Sequence, residues 1–352
     1  MQAHIMVLRR IPLALATLAA ALQTPPRRVT CLRAAAGSKE RDLTLFSPAK
    51  INLFLRIIKK RDDGFHELAS LFQAIDLGDE LSFEKLSSGD ADVLECSTEG
   101  MPLDASNLVL RAVSLLREKC PDKVPGFRIL LEKQTPMQAG LGGGSSNAAT
   151  ALYGVNELCG QPASQAQLIE WSGALGSDIT FFLGPTGSAF CTGRGEILEP
   201  VEALPSTFKH VFVIKPYRGL STPLVFKTLA ASEYATLRTD VDPRVLLDSF
   251  GDASRSAPLA DYVNDLEPPA FECEPVLAEI KKKLLDKYGF HAAMMSGSGT
   301  SLFAVATGDE VDAAAFPAVF AAECKKELAV DVDVWPARFL GREEGEWYAR
   351  GE

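Results

Sequence analysis

The sequence predicts an α+β fold in two domains. Three observations carry this. The chain of 352 residues is long enough to bury two cores. Period-two apolar stretches alternate with helix-period ones along most of its length. Two glycine-rich loops, at 140–144 and 296–300, lie far apart in sequence, each between apolar segments.

Residues 43–58 are rich in Leu, Ile and Phe and read as extended, with Pro48 marking an edge or bulge. Arg61-Asp62-Asp63-Gly64 is a turn signal. Further strands are expected at 68–75 and 80–83. Asp104-Ala105-Ser106-Asn107 offers N-cap candidates for a helix over 108–119. Alternation of Phe127, Ile129 and Leu131 predicts a strand over 126–133. After the first glycine loop, a helix runs from Asn147 to about Leu158, where Gly160 and Pro162 end it. A second helix is expected over about 164–175. Residues 188–192 and 196–201 pair as a hairpin around Gly193-Arg194-Gly195. A domain boundary falls near residue 204. Beyond it come a strand at 211–214, a mostly helical and polar stretch over 227–263, and a helix over 275–288. Strands at 292–295 and 302–305 flank the second glycine loop. The segment beyond about 310 is acidic, ends in Trp335-Pro336-Ala337-Arg338, and receives no role.

The first 39 residues differ from the rest. They hold five arginines, one lysine and no Asp or Glu. The whole chain's net charge of −10 includes their +6, so the remainder carries −16. An acid-free, arginine-rich start with an apolar run at 11–22 reads as a targeting presequence of about residues 1–40. The expected destination is a plastid stroma, reached directly or through the secretory pathway. No apolar run is long enough to span a bilayer comfortably, and the acidic remainder argues against a nucleic-acid partner. The seven cysteines are scattered without CxxC or Cys/His spacing, which argues against a zinc site or disulfide framework.

The chemistry concentrates in Pro136-Met137-Gln138-Ala139-Gly140-Leu141-Gly142-Gly143-Gly144-Ser145-Ser146. Glycines let backbone N–H groups approach an anion, and a following helix adds unpaired donors and partial positive charge. No lysine follows, so this is not the GxxxxGK[ST] loop. A dinucleotide GxGxxG reading fails at Ser145. Ser47-Pro48-Ala49-Lys50 fits S-x-x-K, but the companion motifs of serine acyl-enzymes are absent. Lys50 is then either a solvent-facing strand lysine or a cation aimed into a site. Asp178 alone reads as an ordinary turn or cap residue.

Taken together, PAKINLFL, PMQAGLGGGSSNAA and SGSGTSLFAV resemble the three motifs of the GHMP kinases, in the right order across about 43–310. With RDDGFHEL, GSDITFFL and NDLE, the chain more narrowly resembles the branch that phosphorylates 4-diphosphocytidyl-2-C-methyl-D-erythritol. The resemblance implies a ribosomal protein S5 domain 2-like N-terminal domain (41–204) that carries ATP. It also implies a ferredoxin-like C-terminal domain (205–352) that closes on the substrate. ATP and Mg²⁺ are the implied cofactors, the cytidine diphosphate conjugate of methylerythritol the implied partner, and a monomer or homodimer the implied state. Asp178 becomes the general base and Lys50 its assistant. The glycine loop, with Asn107 and Lys133, binds ATP, and Ser146 supplies a metal-side hydroxyl. Asn52, Phe65, His66 and Thr222 bind substrate, with Phe65 stacking on the base and His66 reading its edge. Gln138, Phe65 and Thr180 depart from the residues usual there, but no catalytic group is lost. Another small-alcohol kinase of the family, or a non-catalytic sensor built on its fold, are the competing functions.

Overall fold

The computed structural model describes residues 41–202, 204, 208–231, 242–252, 256–308 and 311–341. The expected presequence at 1–40, part of the 227–263 stretch and the end of the C-terminal segment lie outside the described residues.

Strands β1 (Leu43–Lys60) and β2 (His66–Lys85) form one long antiparallel hairpin. The predicted turn closes it, with Gly64 at φ 84°. Strand β2 then pairs with β4 (Phe127–Glu132) and with β5 (Ser188–Thr192). Short β3 (Val93–Cys96) and β6 (Ile197–Val201) complete a six-stranded sheet. The two strands expected at 68–75 and 80–83 are one, β2, with Gly78 and Asp79 in the gap between them. Those two residues sit in an irregularity, where the register jumps from Pro48–Gly78 to Ala49–Ile75. A Cβ on Gly78 would come within 2.4 Å of the Ser47 carbonyl oxygen, so the close strand approach there needs glycine.

Four helices accompany this sheet: α1 (Leu108–Lys119), α2 (Gly143–Leu158), α3 (Gln165–Ser172) and α4 (Ser177–Leu183). Helix α1 matches its prediction because its signals agree. Asn107 accepts from the Val109 N–H, Arg117 and Lys119 favour the C-terminal end, and Val109, Leu110, Val113 and Leu116 form the buried stripe. A Ser164–Gln167 capping box starts α3. The apolar run after Asp178 is the short helix α4, which packs Phe181 and Phe182 into the core.

The second sheet is fully antiparallel, in the order β10 (Val332–Ala337), β7 (His210–Pro216), β9 (Leu302–Ala306), β8 (Ala292–Met295). In chain order this is 4-1-3-2, the ferredoxin-like arrangement expected. Helices α5 (Thr222–Ala231), α6 (Pro243–Gly251), α7 (Glu267–Cys273) and α8 (Val276–Lys282) precede β8. Helix α8 continues as a π-turn over Lys283–Lys287. Helix α9 (Phe316–Leu328) and β10 correct the reading of the last segment. That stretch supplies an edge strand, and Phe316 and Phe320 enter the core.

Strand alternation divides the second sheet between two cores. Phe212, Ile214, Ala293, Met295 and Leu302 pack with the C-terminal helices. Val211, Val213, Met294, Phe303 and Val305 pack instead against Ala49, Ile51, Leu53, Leu71 and Ile75 of the β1–β2 hairpin. Further along β1, Leu55 and Ile57 join the C-terminal core. The two halves therefore share a continuous apolar interior, which fixes the groups that face each other across their junction.

Candidate active site

Strand β1 positions Lys50 and Asn52 on one face, two residues apart. The Lys50 ammonium donates to Asn52 Oδ1 at 2.8 Å and lies 4.3 Å from the Phe72 ring centroid. Asn52 is itself held, donating to Ser70 Oγ at 2.8 Å, and Ser70 donates to the Phe54 carbonyl. Lys50 is buried, so its charge needs a counter-ion. That counter-ion is Asp178, whose Oδ2 lies 3.8 Å from Lys50 Nζ. Asp178 stands in the first turn of α4, where the helix dipole favours a carboxylate. Its side chain is 34% exposed against 5% for Lys50, so the pair presents a carboxylate to the cavity above a buried ammonium. Beneath them the buried Cys191 thiol has its pKa pushed well up by desolvation and by the Asp178 charge, so it stays protonated.

The glycine loop passes over this pair. Lys50 N–H donates to the Leu141 carbonyl at 2.9 Å, pinning the loop to β1. Gly140 and Gly142 adopt φ of 73° and 68°, and Gln138 also has positive φ. A Cβ on Gly140 would lie 2.2 Å from the Ser296 carbonyl oxygen. The second glycine loop, 296–300, therefore packs directly against the first, and Ser296 Oγ donates to the Gly140 carbonyl at 2.9 Å. Gly142 caps α2 without any side-chain hydrogen bond, so the first N–H groups of that helix have no capping side chain.

Two cavities meet along this loop. One, of about 390 Å³, is lined by Asn107, Leu108, Lys133 and residues 136–145. It brings together every residue expected at the nucleotide except Ser146. Asn107 also caps α1 there, and Lys133 Nζ bonds Asp79 and Asn147 beneath the loop. The other, of about 560 Å³, is lined by Lys50, Asn52, Asp178, Thr222 and the second glycine loop, with Leu68, Phe226 and Arg194. Gln138, Gly140 and Gly142 line both.

Three expected site residues sit differently from the reading. Helix α2 begins at Gly143 rather than Asn147, which turns Ser146 inward. Ser146 is fully buried, 2.8 Å from Ser47 Oγ, and Ser145 lines the cavity in its place. Phe65 and His66 stand one layer outside the larger cavity. His66 stacks on Phe226 at 5.1 Å, and Phe65 lies under the Arg194 guanidinium at 5.1 Å. Burial, helped by nearby Lys60, lowers the His66 pKa, so the ring is neutral at pH 7.

Sequence reasoning missed Asp79, Arg194 and the work of the NDLE stretch. Asp79 is buried and accepts from Lys133, Asn147 and the Gln134 and Thr135 N–H groups, bracing the strand before the loop. Arg194, a cation between two glycines at a hairpin tip, was the readable signal. Asn264 donates to the Met295 and Gly297 carbonyls, and Asp265 binds Arg56 and the Ile57 N–H. NDLE thus ties the second glycine loop to β1. Among the described residues no helix is long and apolar enough to cross a membrane, and no group of three His, Cys, Asp or Glu could hold a metal. The described cysteines are free thiols.

The family described as GHMP kinases N terminal domain matches residues 107–184, and GHMP kinases C terminal matches 246–322. The chain is 44% identical over 310 residues to the chloroplastic 4-diphosphocytidyl-2-C-methyl-D-erythritol kinase of Oryza sativa subsp. japonica, covering 87% of this chain and 73% of that protein. It is 42% identical over 307 residues to the kinase of the same name from Protochlamydia amoebophila, covering 87% and 93%. A crystal structure of 4-(cytidine 5'-diphospho)-2C-methyl-D-erythritol kinase superimposes with a TM-score of 0.65 at 33% identity, over 85% of this chain and 99% of that one.

Proposed function

Because the chain belongs to the GHMP kinase family, we propose that it transfers the γ-phosphoryl group of ATP to the 2-hydroxyl of 4-diphosphocytidyl-2-C-methyl-D-erythritol, a step in non-mevalonate isoprenoid precursor synthesis. The single observation that carries the reading is the Lys50–Asp178 pair, 3.8 Å apart at the floor of a cavity that shares its wall with the glycine loop. Its relatives of that name support the substrate.

In this reading the nucleotide lies in the smaller cavity, with its phosphates against the backbone of residues 140–145. Asp178 accepts the proton of the substrate hydroxyl. The freed oxygen attacks the γ-phosphorus, the bond to the bridging oxygen breaks, and ADP leaves with the electron pair. Lys50 holds the same hydroxyl oxygen and pairs with Asp178, while Asn52 keeps Lys50 in place. The exposed loop N–H groups and the α2 N-terminus are the donors aimed at phosphate charge. They and the partly exposed Asp178 fit an ATP that brings Mg²⁺ on its own phosphates; the ion would neutralise developing charge there. Ser145, at the cavity wall, replaces Ser146 as the hydroxyl on that side. Thr222 and Phe226 take the rest of the substrate, with His66 stacked behind Phe226 and Phe65 at the outer edge beside Arg194. Every group named lies on one chain, so the reading holds for a monomer or a homodimer. The chloroplastic names of its plant relatives support a plastid location, with residues 1–40 as the targeting segment.

The test is ADP release by the protein without residues 1–40, given MgATP and, in turn, the diphosphocytidyl alcohol, mevalonate or homoserine. Turnover with the first alone is expected. Turnover with another alcohol would discard the substrate, and a folded, ATP-binding but silent protein would discard the enzyme. Asp178→Asn should abolish turnover, with ATP still bound in a calorimetric titration; retained activity would remove Asp178 as the base.

A further inference from the structure

We infer that Arg194 is the ligand of the substrate's diphosphate and sets the preference for a diphosphate-bearing alcohol, a conclusion that rests on the kinase reading above. Among the described residues lining the larger cavity, the charged side chains are Lys50, Asp178 and Arg194. Lys50 and Asp178 neutralise each other. A substrate carrying a diphosphate brings at least two negative charges into a chain whose net charge is already −10. Arg194 is the cation left among the lining side chains to meet them.

Its placement suits that task. Arg194 stands at the tip of the β5–β6 turn, between Gly193 and Gly195, both at positive φ. The Leu68 N–H donates to the Gly193 carbonyl at 2.7 Å and anchors the tip to β2. On one side, a Cβ on Gly195 would stand 4.0 Å from Asp178 Oδ1. On the other, the guanidinium covers the Phe65 ring. Arg194 therefore lies between the base that meets the alcohol and the aromatic end that would meet the cytosine. A molecule built as base, diphosphate and alcohol has its diphosphate in the same middle position. The guanidinium's ion pair with Glu196 is long, 3.8 Å through Nε, and the Arg194 side chain is 45% exposed. Such a contact is readily exchanged for two parallel N–H bonds to phosphate oxygens, which the planar fork of arginine fits.

The experiment compares wild type, Arg194→Gln and Arg194→Lys. Loss of a charge-assisted pair should raise KM for the diphosphocytidyl alcohol about tenfold to a hundredfold in Arg194→Gln. Both kcat and the KM for ATP should stay near wild type, and Arg194→Lys should recover part of the loss. Calorimetry with CDP and cytidine isolates the diphosphate. Wild type should prefer CDP, and Arg194→Gln should lose that preference while keeping its affinity for cytidine. An unchanged KM, an intact CDP preference, or equal weakening of CDP and cytidine would overturn the assignment; the last would make Arg194 a support for Phe65. If wild type fails to phosphorylate the diphosphocytidyl alcohol, the kinase reading falls. The CDP–cytidine comparison still judges Arg194 by itself, and wild-type indifference to the diphosphate would count against it.

Discussion

At the scale of single residues, the glycines of the first loop do different jobs, and substitution separates them. Gly140 combines a φ of 73° with a carbonyl oxygen 2.2 Å from where a Cβ would be. Gly140→Ala should therefore cost more than about 2 kcal/mol in urea unfolding and spoil both cavities. Gly144 has ordinary φ, and a Cβ there would meet nothing nearer than Leu108 Cδ1 at 4.0 Å. Gly144→Ala should leave the fold as stable or raise it by about 0.5–1 kcal/mol, since it stiffens a helical position. Its KM for ATP should nevertheless rise, because the methyl group stands where phosphate would approach. An unchanged KM would move the phosphates elsewhere on the loop. His66 gives a pH signature. Burial holds its pKa below the ordinary 6.5. The unfolded chain takes up this proton as pH falls through that value, whereas the folded chain resists it. Stability therefore declines as pH drops below about 6.5 and is unaffected by His66 above it. An NMR titration should put its midpoint below 6.5, and the substrate KM should be flat from there to pH 8; a midpoint at or above 6.5 would refute the burial argument.

At the scale of elements, legibility followed how far local signals agreed. The bounds of helix α1 could be read because cap candidates directly precede its apolar stripe, and the structure adds agreeing charge at its C-terminal end. Asn107→Ala should cost about 1 kcal/mol, the usual loss of an N-cap, in chemical unfolding. A loss below a few tenths would mean that the Asn107 side chain matters only to the nucleotide cavity. Helix α4 was not legible, because Ile179, Thr180, Phe181 and Phe182 favour strands and only packing makes them helical. The continuity of strand β2 was not legible across Gly78, whose reason is a neighbouring strand rather than a turn. Within the site, Lys50 and Asp178 were chosen by resemblance, since a lysine in an apolar strand and an aspartate before an apolar run are separately unremarkable. Their approach across 128 positions is a product of β1 and α4 meeting at the loop, and no local pattern encodes it. Phe65 and His66 were legible as a pair. Their position outside the cavity was not, because Phe226 stands before His66 and Arg194 before Phe65, both far along the chain.

For the whole molecule, the question is how two sheets become one rigid frame around a shared wall. The interior formed by the β1–β2 hairpin and the second sheet does much of it. The rest falls to a few residues after β10. The Leu340 N–H donates to the Ala74 carbonyl at 2.9 Å, and the Asp76 N–H to the Arg338 carbonyl at 3.0 Å. Gln73 Nε2 reaches the Leu340 carbonyl at 3.0 Å. Phe339 packs against Phe208, with ring centroids 5.5 Å apart. Gly187 is glycine because the same strap crosses it, leaving 1.9 Å between a Cβ and the Leu340 oxygen. A chain ending at Ala337 should lose about 2–4 kcal/mol, from those bonds and the Phe339 burial. A urea midpoint equal to that of the full chain would show the strap to be idle.

The position of that strap in the chain has a consequence for synthesis. Translation delivers β1 and β2 first, with Leu55 and Ile57 facing partners that have not yet been made. Strand β7 waits with one edge open until 332–337 arrives, and β2 waits for 338–340. Each half keeps an incompletely paired edge until 332–340 has left the ribosome. Until then the nascent protein carries unpaired edges and uncovered apolar side chains, the condition that chaperones recognise.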